Sequence, residues 1–226
     1  RVTLARDRAE TVRGIVPLGD GRRATTGRDG VAQWSRDWPD TLAARAAAKA
    51  SAGRGVNPQR AFTELSPRLP DDVILTSDSG SCANWYARDL MMRRGMMGSL
   101  SGGLASMGAA VPYAIAAKFA HPVRPVIAMV GDGAMQMNNM AELITVAKYW
   151  RQWPDPRWIC MVLNNEDLNQ VTWEQRVMEG DPKFDASQQI PNVPYYRFAT
   201  LLGLKGIYVD DPEQLGELYG DLINTA

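Results

Sequence analysis

Two short polar sequences, each closing an apolar run, could do chemistry together. Pro125 to Asn139 reads PVIAMVGDGAMQMNN, and Trp158 to Asn169 reads WICMVLNNEDLN. Each run has the length and apolar content of a buried strand. The first gives way to Gly131-Asp132-Gly133 and the second to Asn164-Asn165. In an open parallel sheet, ligands sit just beyond the carboxyl ends of the strands. Asp132 and Asn165 delivered there by neighbouring strands make a hard-cation site for a ligand with phosphates. Magnesium takes oxygen ligands and is commonly held by one or two carboxylates plus substrate phosphates. Asp132 supplies the negative charge. Asn165 adds a neutral amide oxygen, which leaves the ion enough positive charge to hold a diphosphate. Gly131 and Gly133 permit close backbone approach, and a helix expected to begin near Ala134 points its first amides at the anion. Either turn alone reads as an ordinary tight turn. The pair, one helix apart, reads as a site. It is not a dinucleotide fingerprint, because SGGLASMG lacks the G-x-G-x-x-G spacing after a strand.

The elements that must position these residues follow from the pattern. Asn57-Pro58 predicts a cap and first turn for a helix through Leu65. Strands are expected at 72–77, 125–131, 158–163 and 206–209, and helices at 104–120, 138–150, 195–202 and 212–223. Alternation of strands and helices predicts a doubly wound parallel α/β sheet with helices on both faces. Before it, residues 1–30 hold the apolar segment AETVRGIVPL and a Gly- and Arg-rich stretch, and Asp40 to Ala52 reads as an Ala-rich, solvent-facing or docking helix.

With these motifs placed, the chain resembles the C-terminal, diphosphate-binding domain of the thiamine diphosphate enzymes of the acetolactate synthase, pyruvate oxidase and benzoylformate decarboxylase group. The family signature starts at Ile115-Ala116, passes through Pro122, Ile127 and Met129, and closes on Gly131-Asp132-Gly133-Ala134. The block SLSGGLASMGAAVPYAIAAKFAHP, Ser99 to Pro122, also resembles the family's cofactor-binding segment. The resemblance runs from about Val56 to the C-terminus. One departure stands out: the step from Asp132 to Asn165 is several residues longer than is usual. The excess falls in YWRQWPDPRW, Tyr149 to Trp158, a surface-like segment, and loop length outside the core costs little.

The resemblance implies roles residue by residue. Asp132 and the Asn165 side chain would ligate magnesium, with the backbone carbonyl of Asp167 as a third protein ligand. Gly131 lies in the same turn, and the Gly133 and Ala134 amides would meet the diphosphate. Met107 matches the bulky apolar residue that wedges between the cofactor's two rings; outside the motif it would read as an ordinary core Met. Ala105 falls where the family contacts the aminopyrimidine through a backbone carbonyl. Ser79 and Ser81, in the turn Asp78 to Cys82, fall where further diphosphate contacts lie, and stabilising the turn is an equal reading for them. Cys82 reads as a small polar filler. Gln170, Val171 and Trp173 follow the metal turn, where the family places a mobile segment that shapes the substrate pocket.

No catalytic residue is assigned to this chain. The resemblance places the activating glutamate in a pyrimidine-binding domain of a neighbouring subunit, and Glu142 reads as a helix-surface or helix-packing residue. Residues 1–30 resemble the end of a central domain and residues 31–55 its linker helix, so residues 56–226 form the cofactor domain, expected to be C-terminally truncated. The chain is read as a fragment of one more than twice as long, inactive by itself. The family decarboxylates 2-oxo acids by cofactor chemistry, the protein supplying orientation and electrostatics. The implied activity is decarboxylation of a 2-oxo acid, foremost pyruvate, with transfer of the two-carbon unit. The alternatives are a benzoylformate- or oxalyl-CoA-type substrate, or a non-catalytic assembly module. A homodimer or homotetramer is implied, and whether FAD also binds stays open.

Composition bounds these readings. The 226 residues are 45% hydrophobic with zero formal charge, so no basic surplus points to nucleic acid, and no apolar run is long enough to span a membrane. Cys82 and Cys160 are too few for a disulfide framework, which favours a cytoplasmic location. The lone His121 reads as the start of a loop. Trp150, Trp153 and Trp158, flanking the insertion, read as a subunit or domain contact.

Overall fold

The computed structural model describes residues 15–17, 23–25 and 55–224. The chain divides into two units, Arg1–Ala50 and Ser51–Ala226. In the first, β1 (Ile15–Pro17) and β2 (Arg23–Thr25) pair antiparallel, with Ile15 opposite Thr25. The expected helix over Asp40 to Ala52, the linker and the rest of residues 1–30 lie outside the described residues.

The second unit is built on four parallel strands: β3 (Ile74–Ser77), β4 (Met97–Leu100), β5 (Val126–Gly131) and β6 (Trp158–Leu163), in the order β4-β3-β5-β6. β5 and β6 pair in register from Val126 opposite Trp158 to Gly131 opposite Leu163. The two motif-bearing strands therefore end side by side. The helices are α1 (Pro58–Leu65), α2 (Ser81–Asp89), α3 (Ala110–Ala120), α4 (Asp132–Ala134), α5 (Met140–Tyr149), α6 (Asn169–Glu174), α7 (Asp185–Gln188), α8 (Tyr195–Leu201) and α9 (Leu215–Asn224). Asn57 caps α1 as expected, its Oδ1 accepting the Gln59 N–H at 2.9 Å.

Strand periodicity divides the core into two layers. Ile74, Val126, Ala128 and Val130 face a cluster with Ala110, Val111 and Ala114 of α3, Leu143 and Val146 of α5, and Tyr195 of α8. Leu75, Ile127 and Met129 face the opposite cluster, with Ala61, Phe62 and Leu65 of α1 and Leu215, Tyr219 and Ile223 of α9. This is the doubly wound α/β sheet expected, with helices on both faces.

Three expectations are corrected. The helix drawn over 104–120 begins only at Ala110, because residues 101–109 form a Gly-rich turn, exposed over 102–106, in which Ala105 and Gly108 have φ of 52° and 90°. The helix after the GDG turn begins at Asp132 rather than near Ala134, and a π-turn, Met135–Asn139, interrupts it before α5. Residues 206–209 form no strand; the Gly206 backbone packs directly on the Tyr196 carbonyl of α8, with no room for a Cβ. Among the described residues, β6 pairs with β5 alone.

The segment from Tyr149 to Trp158 is not a surface appendage. Trp153 is buried and meets Phe119 edge-on at 5.9 Å, while Trp150 and Trp158 pack against the same cluster. The tryptophans thus contact their own unit. Asp155 anchors the segment by ion pairs to Arg157 at 2.7 Å and to the buried Lys118 at 3.9 Å. Lys118 Nζ also donates to the carbonyls of Arg124 and Arg157, at 2.6 and 3.4 Å. His121 follows α3 at the start of a loop, and half-buried Glu142 accepts the Thr145 hydroxyl on α5, a helix-face role.

Candidate functional site

Asp132 stands where the register of β5 and β6 brings both polar turns together. Its Oδ1 accepts the Gly133 N–H at 2.9 Å. Its Oδ2 accepts the N–H groups of Asn165 and Glu166 at 2.9 and 2.6 Å, so one carboxylate joins the two turns. The Asp132 side chain is buried, and burial holds its carboxyl above the ordinary value, against the three backbone amides that favour the charged form. Tyr195 of α8 donates its hydroxyl to the Asp132 carbonyl at 3.3 Å and accepts from Gln136 Nε2 at 2.9 Å.

The Asn165 side chain sets one amide atom 3.2 Å from Asp132 Oδ1 and 3.0 Å from the Asp167 carbonyl oxygen. With nitrogen at that position the amide donates to both. With oxygen there, three acceptors converge, an arrangement that a cation would satisfy. The donor set therefore fits magnesium: one carboxylate, one amide and one carbonyl, with room for phosphate oxygens. The Asp167 carboxylate itself is engaged elsewhere, accepting the Thr172 hydroxyl at 3.0 Å and pairing with Lys183 at 3.0 Å, which leaves its carbonyl as the group on offer. Among the described residues no three His, Cys, Asp or Glu side chains cluster as a metal site; this set rests on mixed donors. Glu166, between Asn165 and Asp167, takes φ of 58°, a left-handed conformation that turns the chain sharply.

Gly133 supplies the cradle. A Cβ there would lie 2.6 Å from Leu168 Cδ2 and 3.3 Å from Met107 Cε. Ser79, Ser81, Met107, Gly131, Asp132, Gly133, Ala134, Asn165 and Asp167 all line one cavity of about 1560 Å³. Ala105 does not line it and lies in the exposed turn before Met107. Ser79 donates to the Ser101 carbonyl at 3.3 Å and Ser81 to Asn169 Oδ1 at 2.9 Å, so both hydroxyls hold neighbouring turns together. Cys82 is buried, and burial pushes its thiol up to about 11, in keeping with a filler.

The segment after the Asn165–Asp167 turn closes back on it. Leu168 donates to the Gln188 carbonyl at 2.8 Å and Ile190 to the Glu166 carbonyl at 3.2 Å. Gln170 and Val171 line the cavity; Trp173, about half exposed, does not.

A family model described as thiamine pyrophosphate enzyme, C-terminal TPP binding domain, matches residues 78–225. The chain belongs to the thiamine pyrophosphate enzymes. It is similar to the Bacillus subtilis protein YdaP, with 34% identity over 170 residues, 75% of this chain and 28% of that protein. It is similar to the mitochondrial acetolactate synthase of Schizosaccharomyces pombe, with 30% identity over 85% of this chain and 27% of the enzyme. The acetolactate synthase of Arthrospira platensis is 34% identical over 69% of this chain and 25% of its own length. The chain thus spans less than a third of the length of these curated relatives.

Sequence reasoning missed Tyr195, Leu168, Asp78 and Asn139. Asp78 alone had a visible signal, since it ends the apolar run of β3 as Asp132 ends that of β5.

Proposed function

We propose that this chain is the diphosphate-binding domain of an enzyme that decarboxylates a 2-oxo acid, foremost pyruvate, and passes the two-carbon unit to an acceptor in the manner of an acetolactate synthase or pyruvate oxidase. The observation that carries this reading is the convergence of Asp132 Oδ1, the Asn165 amide and the Asp167 carbonyl beside the Gly133 cradle. Relatives named acetolactate synthase support the substrate class.

In this reading Asp132, Asn165 and the Asp167 carbonyl hold magnesium, and the Gly133 and Ala134 amides meet the diphosphate at the start of a helix. Met107, whose Cε lies beside Gly133, would be the bulky apolar residue that wedges between the cofactor's two rings. Thiamine diphosphate, when bound, supplies the electron sink for decarboxylation. The segment carrying Gln170 and Val171 borders the cavity, where it would help shape the substrate pocket. The activating glutamate comes from a pyrimidine-binding domain of a neighbouring subunit, so a homodimer is the smallest complete unit. The free thiols of Cys82 and Cys160 are consistent with a reducing compartment such as the cytoplasm. Among the described residues no helix is long and apolar enough to cross a membrane.

The test is carbon dioxide release by the full-length protein with thiamine diphosphate and magnesium, offered pyruvate, benzoylformate and oxalyl-CoA in turn. Release from pyruvate with formation of acetolactate or an acetyl product is expected. Release from only one of the other acids would move the assignment to that substrate, and no release from any would contradict it.

A further inference from the structure

Asp78 is a fully buried carboxylate outside the metal site, and its partners are N–H groups of neutral donors. Its Oδ1 accepts from the backbone of Gly108 at 2.6 Å and Ala109 at 2.9 Å. Its Oδ2 accepts from Ala110 N at 3.4 Å and from Asn139 Nδ2. Asn139 is also fully buried, accepts the Val111 N–H at 3.3 Å and donates to the Ala134 carbonyl at 3.3 Å. Together the two side chains satisfy four successive amides at the start of α3, groups with no partner inside the helix. Four donors converging on Asp78 need two acceptor oxygens, and a neutral amide would offer one.

The location of this pair is informative. Met107 immediately precedes the first amide held, and Gly108 takes the left-handed φ of 90° with Asn138 packed where a Cβ would go. On the other side, Asn139 closes the π-turn that directly follows Gly131-Asp132-Gly133-Ala134. A π-turn adds a residue to the helical ladder, a feature frequent at functional sites, and here it belongs to the residue that reaches Asp78. The segment bearing Met107 and the turn bearing the diphosphate amides are therefore tied through one buried contact.

We propose that Asp78 and Asn139 are a positioning pair that fixes Met107 relative to the Gly131–Ala134 turn and so sets the spacing between the cofactor's ring site and its diphosphate site. The proposal rests on the cofactor reading above. Neither residue touches the cofactor; both act through the backbone of residues 108–111.

Two ligands separate the two sites in the full-length protein. Inorganic diphosphate with magnesium probes the Asp132 turn alone, and thiamine diphosphate with magnesium probes that turn and the ring site together. Asp78→Asn sets donors against donors at Ala110 and Asn139. It is expected to weaken thiamine diphosphate by about tenfold or more while inorganic diphosphate changes by less than about threefold. Asn139→Asp in the same protein turns the pair around, and D78N/N139D is expected to regain about threefold or more, limited by the new carboxylate facing the Ala134 carbonyl. Asn139→Ala leaves Asp78 its three backbone amides and keeps the test open should D78N fail to fold; it too is expected to weaken the first ligand and spare the second. Equal loss of both ligands, unchanged affinity in the single variants, or a double variant no better than D78N would each overturn the pairing. Wild-type protein that binds thiamine diphosphate no better than inorganic diphosphate would instead contradict the cofactor reading itself.

Discussion

The Asn165 backbone N–H donates to Asp132 Oδ2 at 2.9 Å, so the two residues named from sequence as candidate metal ligands are bonded directly to one another. Asp132 therefore has two tasks: it faces the site with Oδ1 and holds the turn after β6 in place with Oδ2.

This dual role gives a pH dependence with a definite sign. Burial raises the Asp132 carboxyl in the folded protein. A raised folded value means that the protonated form is the better tolerated one. The stability this group contributes without metal is present at low pH and lost as pH rises through the folded value. Metal-free wild type is expected to lose ground to Asp132→Asn as pH rises from the ordinary carboxylate range through the raised folded value, and saturating magnesium should remove the difference by stabilising the carboxylate. Urea midpoints for both proteins across that range would check it; parallel curves would contradict it.

Gly133→Ala tests the cradle. The added methyl meets Leu168 Cδ2 at 2.6 Å and Met107 Cε at 3.3 Å, so both side chains must shift. A stability cost of about 1–3 kcal/mol is expected for such overpacking, together with weaker diphosphate binding. Leu168→Ala in the same background should offset part of the stability cost, giving a coupling of about 1 kcal/mol in a double-mutant cycle.

Lys118 is expected to matter for folding and not for the site. Its ammonium is buried between the loops that precede β5 and β6, far along those strands from Asp132, and satisfies two carbonyls as well as Asp155. Lys118→Met strands those carbonyls and should cost about 2–4 kcal/mol. The dissociation constant for magnesium and inorganic diphosphate should stay unchanged at a temperature where the variant is folded.

Cys82 should be inert in the native protein. Burial pushes its thiol up to about 11, so the thiolate is scarce at neutral pH. Alkylation by iodoacetamide is expected only on unfolding, with labelling that tracks the denaturant transition. Rapid labelling of Cys82 in the native state would contradict its burial in the first turn of α2.

The legible part of the fold was the part written in local pattern. β5 and β6 lie within a residue of their expected bounds because each is a continuous apolar run cut off by a polar turn. α1 carried its own signal in Asn57-Pro58. β4 was missed because Met97–Leu100 is a short, largely exposed edge strand without alternation, held by pairing with β3. The start of α3 was misplaced because its first amides are capped by Asp78, some thirty residues upstream, and no local residue marks that boundary. The segment 206–209 has strand-like composition, but a strand exists only where a neighbour pairs with it, and here Gly206 packs on α8. At the site, Asp132, Asn165 and Gly133 were readable as a motif. Asp78 stood visibly at a strand end, but its partners did not, and Tyr195 and Asn139 left no signal, because each acts through a contact that exists only after the sheet has formed.

The most direct measurement is a calorimetric titration of the full-length protein with thiamine diphosphate, with and without magnesium, beside Asp132→Ala. The expected result is saturable binding that requires magnesium and is weakened at least about a hundredfold in the variant. Magnesium-independent binding, or equal affinity in wild type and Asp132→Ala, would contradict the assignment of the Asp132–Asn165 turn as the metal–diphosphate site.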